Sequence, residues 1–308
     1  MKSHVGSASS LADRRRGLVA AAARAYIRRG PTQLGKRLVY RAVGRAAKGA
    51  GPVVARTGFG FRMFCDLEDL IQSYIYHFGV WEPDVSAFLA RRLRPGDVFI
   101  DVGAHVGYHS LLSARIVGPS GKVVAVEASP RIFTRLKENL ALNCADNVVA
   151  LNVAASDSPG QVQVYAATRR NTGETTIMRE RQTLFGERGF RPEGVVPAAP
   201  LDAMVQSSDL ARAKIVKLDV EGAEGPVLHR VLDRLSDYGE AEFLVELSGE
   251  GQLWFEAFER EGYHAYRIEN DYRFERYLHA QVEPPRRARE APADQADIIF
   301  SRIDAETL

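Results

Sequence analysis

The sequence predicts a doubly wound α/β fold, a mostly parallel sheet with helices on both faces, and three observations carry that prediction. Val98-Phe99-Ile100-Asp101-Val102 is a short apolar run of the kind a buried parallel strand requires. It ends in an acid and a glycine turn, Gly103 to Gly107, ahead of a stretch over 108–116 that reads as an amphipathic helix. Twenty positions after Gly107, the second run Val124-Ala125-Val126 ends in Glu127. A further run over 214–218 ends in Asp219-Val220-Glu221-Gly222-Ala223-Glu224, and beyond it Val227, Leu228, Val231, Leu232 and Leu235 recur at helical spacing.

The remaining elements follow in order. Residues 53–66 read as a small β segment, and 70–78 and 84–93 as helices; Pro95-Gly96 then introduces the first core strand. Strand two is 122–127, Ile132, Phe133, Leu136 and Leu140 mark a helix face, and 147–154 is strand three. Residues 158–200, rich in Gly, Arg and Thr, read as an irregular insertion with short strand candidates at 162–166 and 175–177. After the fourth strand come 243–247, 263–268 and 298–302, with 283–296, full of Pro, Arg and acid, as the loop between the final two. No internal repeat is evident.

The turn after the first strand has the layout of a nucleoside-cofactor site. Gly103 and Gly107 let the backbone turn tightly and approach a ligand closely. Glu127, ending the second strand, suits a ribose diol, because one carboxylate can accept both hydroxyl protons. A dinucleotide fingerprint would read G-x-G-x-x-G, with a pyrophosphate on a helix N-terminus. Here the turn reads G-x-x-x-G with Asp101 two places ahead, and an acid there repels a pyrophosphate but favours a cationic ligand end such as the ammonium of S-adenosylmethionine.

D-x-G-x-x-x-G followed by an acidic second strand resembles the class I methyltransferases. The string K-x-D-x-E-G-x-E from Lys217 to Glu224 narrows the resemblance to FkbM-type methyltransferases, as do Asp101-Val102-Gly103-Ala104, Glu127-Ala128-Ser129-Pro130, Ala155-Ser156-Asp157, Asn171-Thr172-Gly173 and Val80-Trp81-Glu82-Pro83. The resemblance spans roughly residues 56 to 302; it departs at His105, where the family more often has asparagine, and in the N-terminal extension. It implies a Rossmann-like class I sheet whose last strand is antiparallel, S-adenosylmethionine as cofactor, and methyl transfer to a hydroxyl of a sugar or polyketide-type natural product. By the same resemblance Asp101 and Gly103 face the methionine moiety, Glu127 the ribose, and Ser156 and Asp157 the adenine edge. The full cofactor-facing set is Glu82, Asp101, Gly103, His105, Gly107, Glu127, Ser156, Asp157 and Asp219.

In a doubly wound sheet the ligand lies beyond the carboxyl ends of the strands. Asp101, Glu127, Asp157, Asp219 and Glu246 all end or follow strands, so this layout gathers five carboxylates at one rim. Transfer to a weakly acidic hydroxyl calls for a proton acceptor, and Asp219, Glu221 and Glu246 are the catalytic candidates, with His105 and His77 as less suited alternatives. His105 reads as a hydrogen-bonder at a helix start, and His109 as structural. Oxygen-ligand chemistry would suit Asp219 and Glu246 to magnesium, but the resemblance does not require a metal and none is expected.

Composition bounds the rest. With 308 residues, 45% hydrophobic and 26% charged, the chain can bury one large core plus an accessory segment. Three parts are expected: a basic, partly helical extension (1–50), an accessory or lid segment (51–95) and the methyltransferase domain (96–304). Cys65 and Cys144 stand in no metal-ligand spacing, which argues against a disulfide framework or zinc site and for two core thiols in a reducing cytosol. The net charge of +2 conceals an asymmetry, because residues 1–50 hold twelve Lys or Arg against the single acid Asp13. That segment reads either as a solvated basic helix pair or as a contact for an anionic membrane surface, which would make a cytoplasmic protein peripheral at the inner membrane. The apolar stretch 17–27 is too short to span a bilayer.

Two other function classes keep the same fold. A nucleic-acid methyltransferase would use the basic arm on phosphates, but the expected basic-aromatic interleaving is missing around the rim. A non-catalytic S-adenosylmethionine-binding module would have lost the cofactor turn or the second-strand acid, and both are intact. The sequence leaves the acceptor and the oligomeric state open.

Overall fold

A computed structural model describes residues 7–30, 35–46, 51–167, 190–247, 251–279 and 282–308. Asn171-Thr172-Gly173 and the strand candidate at 175–177 lie outside the described residues. By its internal contacts the chain divides into two units, Met1–Trp81 with Tyr272–Ala280, and Glu82–Asp271 with Gln281–Leu308.

The first unit holds α1 (Ser7–Arg29), α2 (Lys36–Ala46), the antiparallel pair β1 (Val53–Arg56) and β2 (Arg62–Cys65), α3 (Leu70–Phe78) and, from much later in the chain, α11 (Phe274–His279). Asp69 caps α3 by accepting from the Gln72 N–H at 2.8 Å, and Gly79 closes the helix in the left-handed conformation. Its core is aromatic: Tyr74, Phe78, Phe274 and Tyr277 pack with Ile27, and the Tyr74 ring meets Tyr277 edge-on at 4.6 Å. His77 is wholly buried there, its Nδ1 2.8 Å from the Ser73 carbonyl, and burial lowers its pKa to about 4. It is a neutral packing residue, not a base. Among the described residues no helix is long and apolar enough to cross a membrane.

The second unit is the α/β sheet. Its elements run α4 (Pro83–Arg92), β3 (Val98–Val102), α5 (Tyr108–Val117), β4 (Lys122–Val126), α6 (Pro130–Leu142), β5 (Val148–Leu151), β6 (Ala154–Ala155), β7 (Gly160–Ala167) and β8 (Phe190–Ala199). They continue with α7 (Leu201–Met204), α8 (Ser207–Ala211), β9 (Ala213–Leu218), α9 (Glu224–Asp233), β10 (Glu242–Leu247), α10 (Gly251–Arg260), β11 (His264–Ile268), β12 (Arg286–Arg287) and β13 (Ala296–Ser301). The large sheet has the order β12-β11-β13-β10-β9-β3-β4-β5. From β5 to β10 the neighbours are parallel, and β13 is antiparallel to both β10 and β11. This is the Rossmann-like class I arrangement with an antiparallel last strand.

Burial explains the composition of the strands. Every residue of β3 is buried, and β9 and β10 are nearly so, which fits a sheet covered on both faces. Val227, Leu228 and Val231 of α9 join Phe243, Phe258 and Phe300 in the main core. Each such side chain gains roughly 1.5–3 kcal/mol on burial. On the opposite edge of the unit from the strand carboxyl ends, Arg92 makes a two-pronged pair with the buried Glu242, at 2.9 and 2.7 Å, and Ser301 donates to the same carboxylate.

Five expectations are corrected. Helix α5 is not amphipathic: of 108–114 every residue is buried, because the helix lies beside β3, β4 and β5. Strand three is divided, since β5 joins the large sheet whereas β6 pairs with β8 in a separate three-stranded sheet. The insertion is not wholly irregular, for β7 and β8 form an antiparallel pair that takes in the 162–166 candidate. Cys65 is buried, but Cys144 is exposed at φ +50° in the turn after α6. The expected 283–296 loop also carries the two-residue strand β12, held against β11.

Candidate active site

The sheet reverses its winding between β3 and β9, and the crevice beyond their carboxyl ends is where the motifs meet. Gly103 sets how closely the two strands approach. At φ +84° a Cβ there would lie 1.7 Å from the Asp219 carbonyl oxygen, so only glycine permits the contact. Gly103 and Ala104 both donate to the Val126 carbonyl at 2.9 Å, and the Asp219 N–H donates to Val102 at 3.0 Å. The turns after β3, β4 and β9 are therefore fastened to one another by backbone.

Glu127 joins two of these turns. Its Oε2 accepts from the His105 N–H at 2.9 Å and its Oε1 from the Ser129 N–H at 2.8 Å. The carboxylate is 7% exposed, and burial raises its pKa to about 7, although both N–H groups favour the charged form. Asn152 donates to the carbonyls of Glu127 and Ala128 and so fixes the turn from behind. Each carboxylate oxygen has a second lone pair left for a ligand hydroxyl.

Lys217 is the one buried cation among the acids described around the crevice. It donates to Asp219 at 2.7 Å. Burial alone would lower its pKa, but Asp219, Asp101 and Glu82 more than reverse this and hold it above the ordinary lysine range. Asp101, level with Lys217 in the β3–β9 register, is 1% exposed. Ser110 of α5 donates to its Oδ2 at 2.5 Å, while Oδ1 has no partner within the protein. Burial raises the Asp101 pKa against the pull of Lys217.

On the other side of Asp219 the carboxylates converge. Oxygens of Asp219, Glu221 and Glu246 lie within 4.8 Å of one another, half-buried, a set a divalent cation could join. Burial, and then Asp219, Asp297 and Glu221, raise the proton affinity of Glu246. Asp297, opposite Glu246 on β13, is raised for the same kinds of reason and accepts from Asn270. Glu224 stands apart from this cluster in role: its Oε1 accepts the N–H groups of Val220 and Gly222 at 3.0 and 3.1 Å, so it closes the turn that presents Glu221.

Four non-glycine residues of the described chain have positive φ, and three of them, Glu82, His105 and Glu221, belong to the motif segments. Such backbone costs of order 1–3 kcal/mol and persists where surrounding structure enforces it. His105 contributes its backbone N–H to Glu127. His109 is buried, and burial lowers its pKa well below the usual range. Its 3.7 Å approach to Glu82 is thus a contact with a neutral imidazole and not an ion pair. Gly107 makes the tight start of α5, where a Cβ would press within 2.5 Å of the Leu136 side chain. Ser156 and Asp157 lie in the turn between β6 and β7, where the Ser156 hydroxyl donates to the Ser158 carbonyl and Asp157 accepts from the Ser158 hydroxyl. Asp157 is exposed, so of the five rim acids it is the least enclosed.

Sequence reasoning assigned no role to Ser110, Lys217, Asp297 or Glu193. Lys217 had a signal, a lysine inside an otherwise apolar strand. Glu193 had none: it comes from β8 to accept from the Ser129 hydroxyl at 2.7 Å and the Arg131 N–H at 2.9 Å at the start of α6, and its other oxygen is buried without a partner.

Comparison with known proteins finds methyltransferases. The family model described as Methyltransferase FkbM domain matches residues 101–274. The hexuronic acid methyltransferase AglP of Haloferax volcanii is 27% identical over 154 residues, 50% of this chain and 58% of that protein. The methyltransferase sdnD of Sordaria araneosa is 30% identical over 161 residues, 44% of this chain and 61% of that protein. The chain spans less than two thirds of the length of either. A solved S-adenosylmethionine-dependent O-methyltransferase of Thermotoga maritima aligns with 87% of this chain and 82% of its own, at 16% identity and a TM-score of 0.38.

Proposed function

The chain belongs to the FkbM methyltransferase domain family, and from that premise we propose that it transfers a methyl group from S-adenosylmethionine to a hydroxyl oxygen of a small-molecule or glycan acceptor. The observation that carries this reading is the charge of the crevice. Asp101, Glu127, Asp219, Glu221 and Glu246 lie at or just after the carboxyl ends of strands around the sheet's switch point, where Lys217, held by Asp219 and Asp101, is the one buried cation among them. Such a site opposes a pyrophosphate and favours a cationic ligand. The orphaned Asp101 Oδ1 and the free lone pairs of Glu127 fit a cofactor with an ammonium at one end and a ribose diol at the other.

When bound, that cofactor supplies an electrophilic methyl carbon on a sulfonium. The protein's share is alignment and proton handling. Fixed turns can supply on the order of 7–11 kcal/mol through alignment. Glu127 holds the ribose, Asp101 and Asp219 lie toward the methionine end, and Gly103 keeps the crevice narrow. Glu82, His105 and Gly107 shape the turn, and Ser156 with Asp157 borders the adenine end. Asp219 and Glu221 receive the acceptor hydroxyl's proton, and Glu246, pushed up to about 10 by burial and its acidic neighbours, holds a proton of its own beside them. A positioned general base contributes roughly 10²- to 10⁴-fold, and burial, then the neighbouring Asp219, Asp297 and Glu221, raise the proton affinity of Glu246. No metal is needed for this route. If a divalent cation takes part, the same three acids hold it and activate the hydroxyl instead.

That one of the relatives is a hexuronic acid methyltransferase supports a sugar as the first acceptor to try. The test is methyl transfer from labelled S-adenosylmethionine to a panel of uronic acids, neutral glycosides, polyketide alcohols and RNA, with and without chelator. Label on a sugar or polyketide oxygen supports the reading. Label on RNA alone, or cofactor binding without transfer to any acceptor, refutes it.

A further inference from the structure

The first unit contains a second polar site, independent of the methyl-transfer reading. Between α1 and β1 runs a groove of about 470 Å³ lined by Arg24, Arg28, Arg29, Val53, Val54 and Tyr76. Three guanidinium groups border it, and among the described residues no carboxylate pairs with any of them. Arg24 donates to the Arg56 carbonyl and lies over the Tyr76 ring at 5.3 Å, but its Nε is buried with no partner. The Arg28 guanidinium lies beside Gly79 at the carboxyl end of α3. Burial disfavours the charged form of both Arg24 and Arg28, and in each case a neighbouring arginine adds to the effect.

Arg24 is half-buried without a counterion, Arg28 and Arg29 reach solvent beside it, and planar guanidinium groups match phosphate oxygens well. The surroundings are apolar rather than polar. Leu18 and Val19 of α1 are 71% and 62% exposed, Val54 of β1 is 49% exposed, and Leu18, Ala21, Ala25 and Arg28 follow the three-and-four spacing of one helix face. A phosphate site edged with exposed aliphatic side chains suits a phosphate that carries hydrocarbon. We propose that this groove binds the phosphate headgroup of an anionic lipid, with Arg24, Arg28 and Arg29 as its ligands and Val53, Val54 and Leu18 beside the glyceride carbons.

The test uses the full chain and monomeric short-chain phosphatidylglycerol, below its micelle concentration, so that no charged surface is present to gather distant basic residues. Titration calorimetry should show saturable one-to-one binding. Arg24→Gln with Arg28→Gln should weaken it about tenfold or more, the scale of charge-assisted hydrogen bonds. Arg41→Gln with Arg45→Gln on α2, an equal loss of charge, should leave it within about threefold. Ala25→Trp fills the groove, keeps every arginine and starts from an exposed residue, so it should also abolish binding even if the double variant folds poorly. Equal losses in the groove and α2 variants would show diffuse attraction and overturn the proposal. So would binding of inorganic phosphate as tight as that of the lipid, which would leave the aliphatic rim without a role.

Discussion

Replacing Glu127 by glutamine tests the proposed cofactor site most sharply, because the structure gives the effect a pH signature. Only the carboxylate can accept both protons of a ribose diol while also accepting the His105 and Ser129 N–H groups. Burial places its pKa at about 7, so in the ligand-free protein it is about one tenth ionised at pH 6 and about nine tenths at pH 8. Affinity for S-adenosylhomocysteine, the demethylated product, should therefore rise about tenfold over that interval, or about 1.4 kcal/mol. In Glu127→Gln the rise should vanish, and at pH 8 binding should weaken by roughly 1.5–3 kcal/mol. Stability moves differently. A pKa raised from 4.5 to about 7 means that Glu127 weakens the fold increasingly as pH climbs between those values, and by a constant amount above them. The upper limit of that relief in the variant is about 3 kcal/mol, offset by about 1–3 kcal/mol for the backbone N–H that loses its acceptor. The melting temperature at pH 8 should thus change little. Calorimetry at pH 6, 7 and 8 on both proteins decides it. Affinity in the wild type that is flat with pH, or a variant that binds like the wild type at pH 8, would refute the reasoning.

Three other outcomes follow from the same geometry. Asp219→Asn and Glu221→Gln should each lower turnover by about 10²-fold or more while product affinity stays within about threefold; normal turnover by the folded fraction of a destabilised variant would mark these acids as structural. Glu224→Gln should cost about 1–2 kcal/mol of stability, read by urea unfolding, because it exchanges a carboxylate that accepts two N–H groups for an amide. Lys217→Met should destabilise the protein by about 3–5 kcal/mol at pH 8, since the buried Asp101 loses its cation, and the deficit should shrink on acidification as Asp101, whose pKa burial already raises, takes up a proton; a deficit constant from pH 8 to pH 5 would contradict it.

The strands and most of the rim were legible because their signals are local. A buried parallel strand must be apolar, so an acid at its end stands out, as at Asp101, Glu127, Asp219 and Glu246. The glycine turn was equally plain, although the reason Gly103 tolerates no side chain, the Asp219 carbonyl, lies on a strand more than a hundred residues away. What stayed hidden depends on such distant meetings. Glu193 reaches Ser129 from β8, and no periodicity links them. Asp297 begins the final strand and reads as a solvent acid until its register with Glu246 is known. Cys144 looked like a core thiol on composition, but the left-handed turn after α6 carries it outward.

Strand β13 has a bearing on how the protein comes to be assembled. It lies between β10 and β11, so the segment from β10 through α10 to β11 must leave a slot one strand wide, which is filled only by residues that follow β11 in the chain. Until then both bordering strands expose unpaired edges, the feature by which folding intermediates of sheet proteins find each other and precipitate. β13 therefore closes the sheet through non-local pairing, an insertion of the kind that forms slowly, and that pairing brings Asp297 to Glu246. Substitutions that slow the insertion should lower the yield of folded protein more than they lower its stability once made.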